Sequence, residues 1–226
     1  MEDTTRDWDA LASRLGSEAV ADGAPTRWFE ELWSAAARDE VDLPWDRRSP
    51  YPPVAEHVTA LGDAAGRRAA VVGAGLGADA ELLAAHGWRT TAFDISPSAV
   101  DAVRARYPES PVDYRVADLL SLPADLVDAF DLVVEVFTVQ ALPPALREAA
   151  SAALRSLLAP GGEVLAVQLV REDGVDGSQG PPWLLDRTEM EALAGGDVRL
   201  VSLTRRPHPS RPVGVPLWVA VLCRDG

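Results

Sequence analysis

Residues 70–77 (AVVGAGLG) constrain this chain more than any other segment. A short apolar run ends in glycines at alternate positions, a helical pattern follows, and Phe93-Asp94 closes the next apolar run. Such a series belongs to a parallel sheet, because bringing a second strand alongside in the same direction takes a crossover, usually a helix. Gly73, Gly75 and Gly77 sit where the backbone has to come near a ligand with no Cβ in the way, beside helix-terminal amides that favour negative charge. The spacing Gly73-x-Gly75-x-x-Ala78 also satisfies the dinucleotide pattern, so the glycines alone leave the choice of nucleotide open.

The alternation continues along the chain. Apolar runs predict strands over residues 69–72, 88–93, 111–116, 130–136, 163–170, 198–204 and 215–222, and helical periodicity predicts helices over 79–86, 97–107, 144–158 and 187–194. Ser96 is the expected N-cap of the second helix, with Pro97 in its first turn, and Pro160-Gly161-Gly162 is expected to stop the third. Only the turn-rich stretch 205–214 separates the last two strands, so they are expected to pair as an antiparallel hairpin. The fold class is α/β: a Rossmann-like three-layer sandwich around a seven-stranded, mostly parallel sheet. Residues 1–62 read as helical and irregular, with an apolar stripe at Trp28, Phe29, Leu32, Trp33 and Ala36, a stretch 43–54 broken by four prolines, and a short helix over 54–61. One structural domain is expected, with 1–62 as an N-terminal segment and 63–226 as the nucleotide-binding part.

Composition removes several functions. The 226 residues carry 35 acids against 21 bases, a net charge of −14 that repels nucleic-acid backbones and anionic membrane surfaces. All of the bases are arginine; without lysine there is no Walker-type phosphate loop and no Schiff base on a lysine side chain. Cys223 is the single cysteine, which excludes an internal disulfide or a multi-cysteine zinc site, and His57, His86 and His208 are too far apart in sequence to suggest a metal cluster. No apolar run approaches the roughly 18 residues of a membrane span, and the acidic N-terminus lacks a signal-peptide core, so a cytoplasmic protein is expected.

Two further acids narrow the ligand. Asp94, 17 residues beyond Gly77 at a strand end, is placed to accept hydrogen bonds from both hydroxyls of a ribose, with Ile95 beside it. Asp118, after the third strand (YRVADLL), is placed to accept from an adenine amino group while the Leu119 amide donates to the ring. With residues 157–162 (LLAPGG) before the fifth strand, these elements resemble the motif series of class I S-adenosylmethionine (SAM)-dependent methyltransferases, over about residues 66–171. A closer resemblance is carried by Pro44-Trp45-Asp46, Gly75-x-Gly77-x-Asp79, Phe93-Asp94-Ile95-Ser96, Glu135-x-Phe137-x-x-Gln140-Ala141-Leu142-Pro143-Pro144 and Gly180-Pro181-Pro182-Trp183. These are similar to the thiopurine/thiol and halide methyltransferase branch. The resemblance implies SAM as cofactor, a small sulfur, selenium, tellurium or halide acceptor, residues 1–62 as a helical lid, and Trp45 over the adenosine. Members usually carry an acid two residues before the first glycine, where this chain has Val71; Asp79 is the replacement candidate for the cofactor ammonium.

Methyl transfer from a sulfonium needs in-line approach in a dry pocket, and a thiol acceptor needs little base because a useful fraction is ionised near neutral pH. Residues after the fourth strand face the methyl group in this fold, which makes Glu135 and Gln140 the catalytic candidates; Glu135 is also a cofactor candidate, orienting the sulfonium. Phe137 and Trp183 are the acceptor-side candidates, and the bases Arg205, Arg206, His208 and Arg211 form a cluster able to receive an anionic acceptor. Other readings stay open on the residues alone: a SAM-fold protein with another reaction or none, and an NAD(P)-binding oxidoreductase, for which no hydride-site constellation is visible.

Overall fold

The computed structural model describes residues 8–43, 46–178, 180–209 and 215–226, without the side chain of Asp9. Seven strands form one sheet: β1 (Arg68–Val72), β2 (Arg89–Asp94), β3 (Asp113–Val116), β4 (Phe130–Val136), β5 (Leu158–Leu169), β6 (Val198–Arg206) and β7 (Leu217–Arg224). Their order is β3-β2-β1-β4-β5-β7-β6. The first five run parallel, and β7 lies antiparallel between β5 and β6. The helices are α1 (Trp8–Ala21), α2 (Arg27–Ala37), α3 (Pro52–Leu61), α4 (Ala78–Ala85), α5 (Pro97–Arg106), α6 (Arg147–Ser156) and α7 (Arg187–Glu191).

Both faces of the sheet are covered, and strand alternation sorts the apolar residues between them. Val72, Phe93, Val133, Val164 and Ala166 join one core with Leu154 and Leu157, while Val71, Ala92, Leu132, Val134, Leu165 and Val167 join the other with Val54, Val58, Leu83 and Val100. Ahead of the sheet, α1 and α2 bury Ala12, Leu15, Ala19, Trp28, Leu32 and Ala35 against one another.

Several element boundaries differ from expectation, three of them for a clear physical reason. The chain after α6 does not pause at Pro160-Gly161-Gly162. The helix ends at Ser156, Leu158 already pairs with Phe130, and the register jumps to Leu132↔Glu163, so the proline and glycines form an irregularity inside β5. Helix α3 begins at Pro52 rather than 54, because prolines at the first two helical positions lack only N–H groups that a helix start leaves unpaired. Strand β3 starts at Asp113, past Pro111, which has no N–H for the ladder. No described helix is long and apolar enough to cross a membrane.

The sheet order reverses between β1 and β4, where one crossover runs toward β2 and β3 and the other toward β5. In open α/β sheets a crevice forms at this place, outside the carboxyl ends of the strands. The glycine-rich turn follows β1, Asp94 ends β2, Asp118 lies just past β3, and Phe137 follows β4.

Candidate active site

A cleft of about 600 Å³ lies along those strand ends, within the roughly 300–1,000 Å³ range of small-molecule sites. Gly73, Gly75, Gly77, Asp79, Asp94, Ile95, Asp118, Leu119, Phe137 and Gln140 all line it, so ten of the proposed site residues converge on one opening. Trp45 lies outside the described residues. Glu135 and Trp183 do not line the cleft.

The glycine turn has left-handed backbone at all three glycines, with φ of +62° at Gly73, +50° at Gly75 and +81° at Gly77. A Cβ on Gly73 would stand 2.5 Å from Thr138 Oγ1; one on Gly77 would stand 2.6 Å from Val103 Cγ2 and closer still to the Tyr114 hydroxyl. At these two positions it is the packing of β4, α5 and β3 against the turn, as well as its backbone conformation, that requires glycine.

Asp94 is buried with its carboxylate against the turn. Gly75 N–H donates to Oδ2 at 3.1 Å and Ser96 N–H to Oδ1 at 3.0 Å. Burial raises the carboxyl above its usual range, opposed by the amides of Ser96, Gly75 and Ile95. Three amides on about four lone-pair sites leave room for a further donor. Asp118 caps a single 3-10 turn by accepting from Leu120 N–H at 2.8 Å. Adjacent strands are about 4.8 Å apart, which separates the β3 and β4 ends by roughly 14 Å, a span suited to an extended nucleoside rather than a small anion.

Asp79, in the first turn of α4, is buried and already paired: Tyr51 N–H donates to Oδ1 at 2.6 Å and Arg47 Nη2 to Oδ2 at 3.2 Å. Its charge therefore anchors the segment before α3 to the glycine turn. Arg47 lines the cleft, with Cζ 4.6 Å from the centroid of the Tyr51 ring.

Past β4 the backbone turns sharply. Phe137 has φ of +66°, a left-handed conformation that costs a non-glycine residue about 1–3 kcal/mol. Its N–H donates to Val167 O at 2.9 Å, and its ring meets Tyr51 edge-on at 5.3 Å and lies parallel to His208 at 6.4 Å. Tyr51 Oη and His208 Nε2 are 3.3 Å apart. Nothing in local spacing marked Tyr51 or Arg47, since both lie in the proline-broken stretch.

Glu135 sits beneath this turn. It is fully buried, accepts from Thr138 and Val139 N–H at 3.2 Å each, and receives Gln168 Nε2 on its other oxygen. Burial pushes its carboxyl up to about 8, against these bonds. Gln140 lines the cleft, but its side-chain carbonyl accepts from Leu169 N–H at 2.6 Å. Trp183 is buried, with Nε1 donating to Ser178 O at 3.2 Å and its backbone N–H to Gln140 O at 2.7 Å, and Pro181 and Pro182 present the loop to the cleft instead. The basic cluster is dispersed: Arg205 pairs with Glu172, Arg206 with Glu56 at 2.5 Å, His208 meets Tyr51, and Arg211 lies outside the described residues.

Helices α1 and α2 supply the remaining wall through Trp8, Ala12, Trp28, Phe29 and Trp33. Glu30 of α2 fastens this wall to the start of α5. Ser96 Oγ and Ser98 Oγ donate to its carboxylate at 2.5 and 2.6 Å, and Ser98 N–H donates at 3.2 Å. Together the strand-end acids, the amides of the glycine turn and Arg47 offer acceptors for a ribose and an exocyclic amine plus a cation for an anionic tail. That set fits an adenosyl group carrying an amino-acid end.

Comparison with known proteins agrees with this geometry. The profile of the family described as Thiopurine S-methyltransferase (TPMT) matches residues 27–210. A probable thiol methyltransferase 2 from Arabidopsis thaliana is 28% identical over 186 residues, covering 81% of this chain and 76% of that protein. Among solved structures, the one reported as "Conversion of a Disulfide Bond into a Thioacetal Group during Echinomycin Biosynthesis" superposes with a TM-score of 0.71 at 21% identity, covering 87% of this chain and 93% of the other. The Burkholderia thailandensis 1,6-didemethyltoxoflavin-N1-methyltransferase, with bound S-adenosylhomocysteine, gives 0.63 at 17% identity over 100% and 92%. The two structural likenesses establish the Rossmann-like fold, and the profile match spans most of the chain. The chain belongs to the thiopurine S-methyltransferase family and is a SAM-dependent methyltransferase of small molecules.

Proposed function

We propose that the enzyme methylates a small thiol-like acceptor by in-line displacement at the cofactor's methyl group. In this reading the adenine lies toward Asp118 and Leu119, the ribose on Asp94, and the methionyl end beside the glycine turn and Asp79. Bound there, SAM supplies an electrophilic methyl on a sulfonium. The protein's residues hold the two reactants in line and keep water out.

The observation that carries the reading is the distribution of charge along the cleft. Among the described residues its carboxylates, Asp79, Asp94 and Asp118, all belong to the β1, β2 and β3 ends. Beyond β4 the wall is mostly apolar, with Phe137, Ala141, Leu142, Pro181 and Pro182 and with Trp28 and Phe29 contributed from α2, and Glu135 is sealed beneath it. Its polar members are Thr138, Gln140, whose carbonyl is taken by Leu169 N–H, and His208, whose Nε2 is engaged with Tyr51 Oη at 3.3 Å. An alcohol or amine acceptor needs a base in reach of its proton, whereas a thiol with a free pKa near 8.5 brings its own reactive fraction. The thiol methyltransferase relative supports the same acceptor class. Phe137 is the acceptor-facing residue in this assignment; Trp183 and Gln140 hold the loops around it, and Glu135 supports the turn that presents it.

A panel of thiols, hydrogen sulfide, selenide, halides, phenols and amines, read by release of S-adenosylhomocysteine, tests the proposal. Thiols should turn over fastest, with kcat/KM rising with pH in step with the thiolate fraction. Turnover confined to phenols or amines refutes it.

A further inference from the structure

The cofactor's amino-acid end carries a carboxylate, and the cleft it enters is dominated by acids. Asp79, Asp94 and Asp118 all line it, in a chain of net charge −14. Val71 brings no charge to the end of β1. Among the described residues lining the cleft, Arg47 is the one arginine.

Arg47 is also held in a defined place with donors to spare. Its Nη2 donates to Asp79 Oδ2 at 3.2 Å and its guanidinium packs over the Tyr51 ring, while Nη1 is shielded from solvent and has no hydrogen-bond partner. Asp79 belongs to the first turn of α4, directly after the glycine turn, so the pair brings a cation to the helix start where the methionyl end is assigned. A shielded guanidinium nitrogen without an acceptor is unfavourable, and a carboxylate matches the planar donor fork that Arg presents.

We propose that Arg47 binds the carboxylate of the cofactor's amino-acid end, with Asp79 both orienting Arg47 and leaving oxygen lone pairs toward the neighbouring ammonium. The assignment rests on the cofactor orientation proposed above. It makes the 46–51 segment a sensor of the amino-acid end: a nucleoside without that end engages Asp94 and Asp118 but not Arg47.

Isothermal titration of the full chain with three neutral-sulfur probes tests this: S-adenosylhomocysteine, its carboxyl methyl ester, and 5′-methylthioadenosine, which lacks the amino-acid end. In Arg47→Gln, affinity for S-adenosylhomocysteine should fall roughly 10- to 100-fold, the scale of one hydrogen-bonded charge pair, while methylthioadenosine stays within about twofold. In the wild type the methyl ester should bind more weakly than the acid by a similar factor, and Arg47→Gln should weaken it little further. Equal losses for S-adenosylhomocysteine and methylthioadenosine would assign Arg47 to holding the segment alone and overturn the proposal, as would an unchanged affinity for the acid. Should the variant not fold, the wild-type pair decides: ester and acid binding equally overturns it. An Asp94→Ala variant that binds methylthioadenosine as tightly as the wild type refutes the cofactor orientation itself, a result distinct from these.

Discussion

Glu135 gives the sharpest test of how the turn after β4 is supported. Its carboxyl is held at about 8, raised from 4.5, chiefly by burial. Between those pH values the unfolded chain releases the proton and the folded chain keeps it. The stabilisation is complete below about 4.5 and is lost as pH rises through about 8. At about 1.36 kcal/mol per pH step, tapering as the folded group begins to ionise, the loss from pH 6 to 8 is about 2 kcal/mol. For a chain of this length that is a fall of roughly 4–8 °C in Tm. Glu135→Gln keeps the shape and one carbonyl oxygen for the Thr138 and Val139 amides, but sets an amide nitrogen against Gln168 Nε2, costing about 1–3 kcal/mol at pH 6. The variant has no proton to lose there, so the gap between the two proteins should narrow by about 2 kcal/mol at pH 8. Urea or thermal unfolding of both proteins at pH 6, 7 and 8 measures this difference, and groups common to both cancel. A gap that stays constant across the three pH values refutes the argument.

Two other substitutions probe the cleft. Asp94→Ala removes the acid assigned to the ribose and should weaken S-adenosylhomocysteine at least about tenfold by calorimetry; unchanged affinity contradicts the assignment. Glu30→Ala should cost about 1–2 kcal/mol and speed proteolysis within α1 and α2, because three bonds to Ser96 and Ser98 are lost together. Burial raises the Glu30 carboxyl, but the Ser96 and Ser98 bonds outweigh it and hold the group below its usual range. Its contribution is therefore present above the ordinary carboxylate range and is lost as pH falls below it, so acid should loosen α1–α2 in the wild type and change the variant little.

The residues that meet at the candidate cleft were legible because their signals are local. Gly73, Gly75 and Gly77 mark a turn that needs left-handed backbone, Asp94 and Asp118 mark strand ends, and Ser96-Pro97 marks a helix start whose cap is present in the structure, with Ala99 N–H donating to Ser96 Oγ at 3.1 Å. Glu135 was expected at the cleft for an equally local reason, and the structure buries it beneath the turn instead. A charged residue at the end of an otherwise apolar strand resembles a functional acid, and sequence does not say whether such a carboxylate opens into a cleft or is sealed under a turn by two amides and a glutamine. Gln140 lines the cleft and Trp183 lies behind it, and the polar atoms of both hold loops together.

The chain's own pattern determined the layered α/β fold, the strand that bears the glycine turn and the acids at the next two strand ends, since hydrophobic period and turn chemistry act over a few residues. Tertiary structure decided what meets across the cleft. Arg47 reaches Asp79 across 32 positions, Ser96 reaches Glu30 across 66, and His208 meets Tyr51 across 157. Those pairings depend on where the sheet reverses and how α1 and α2 pack over it, and no periodicity within one segment encodes a contact between side chains that folding alone brings together.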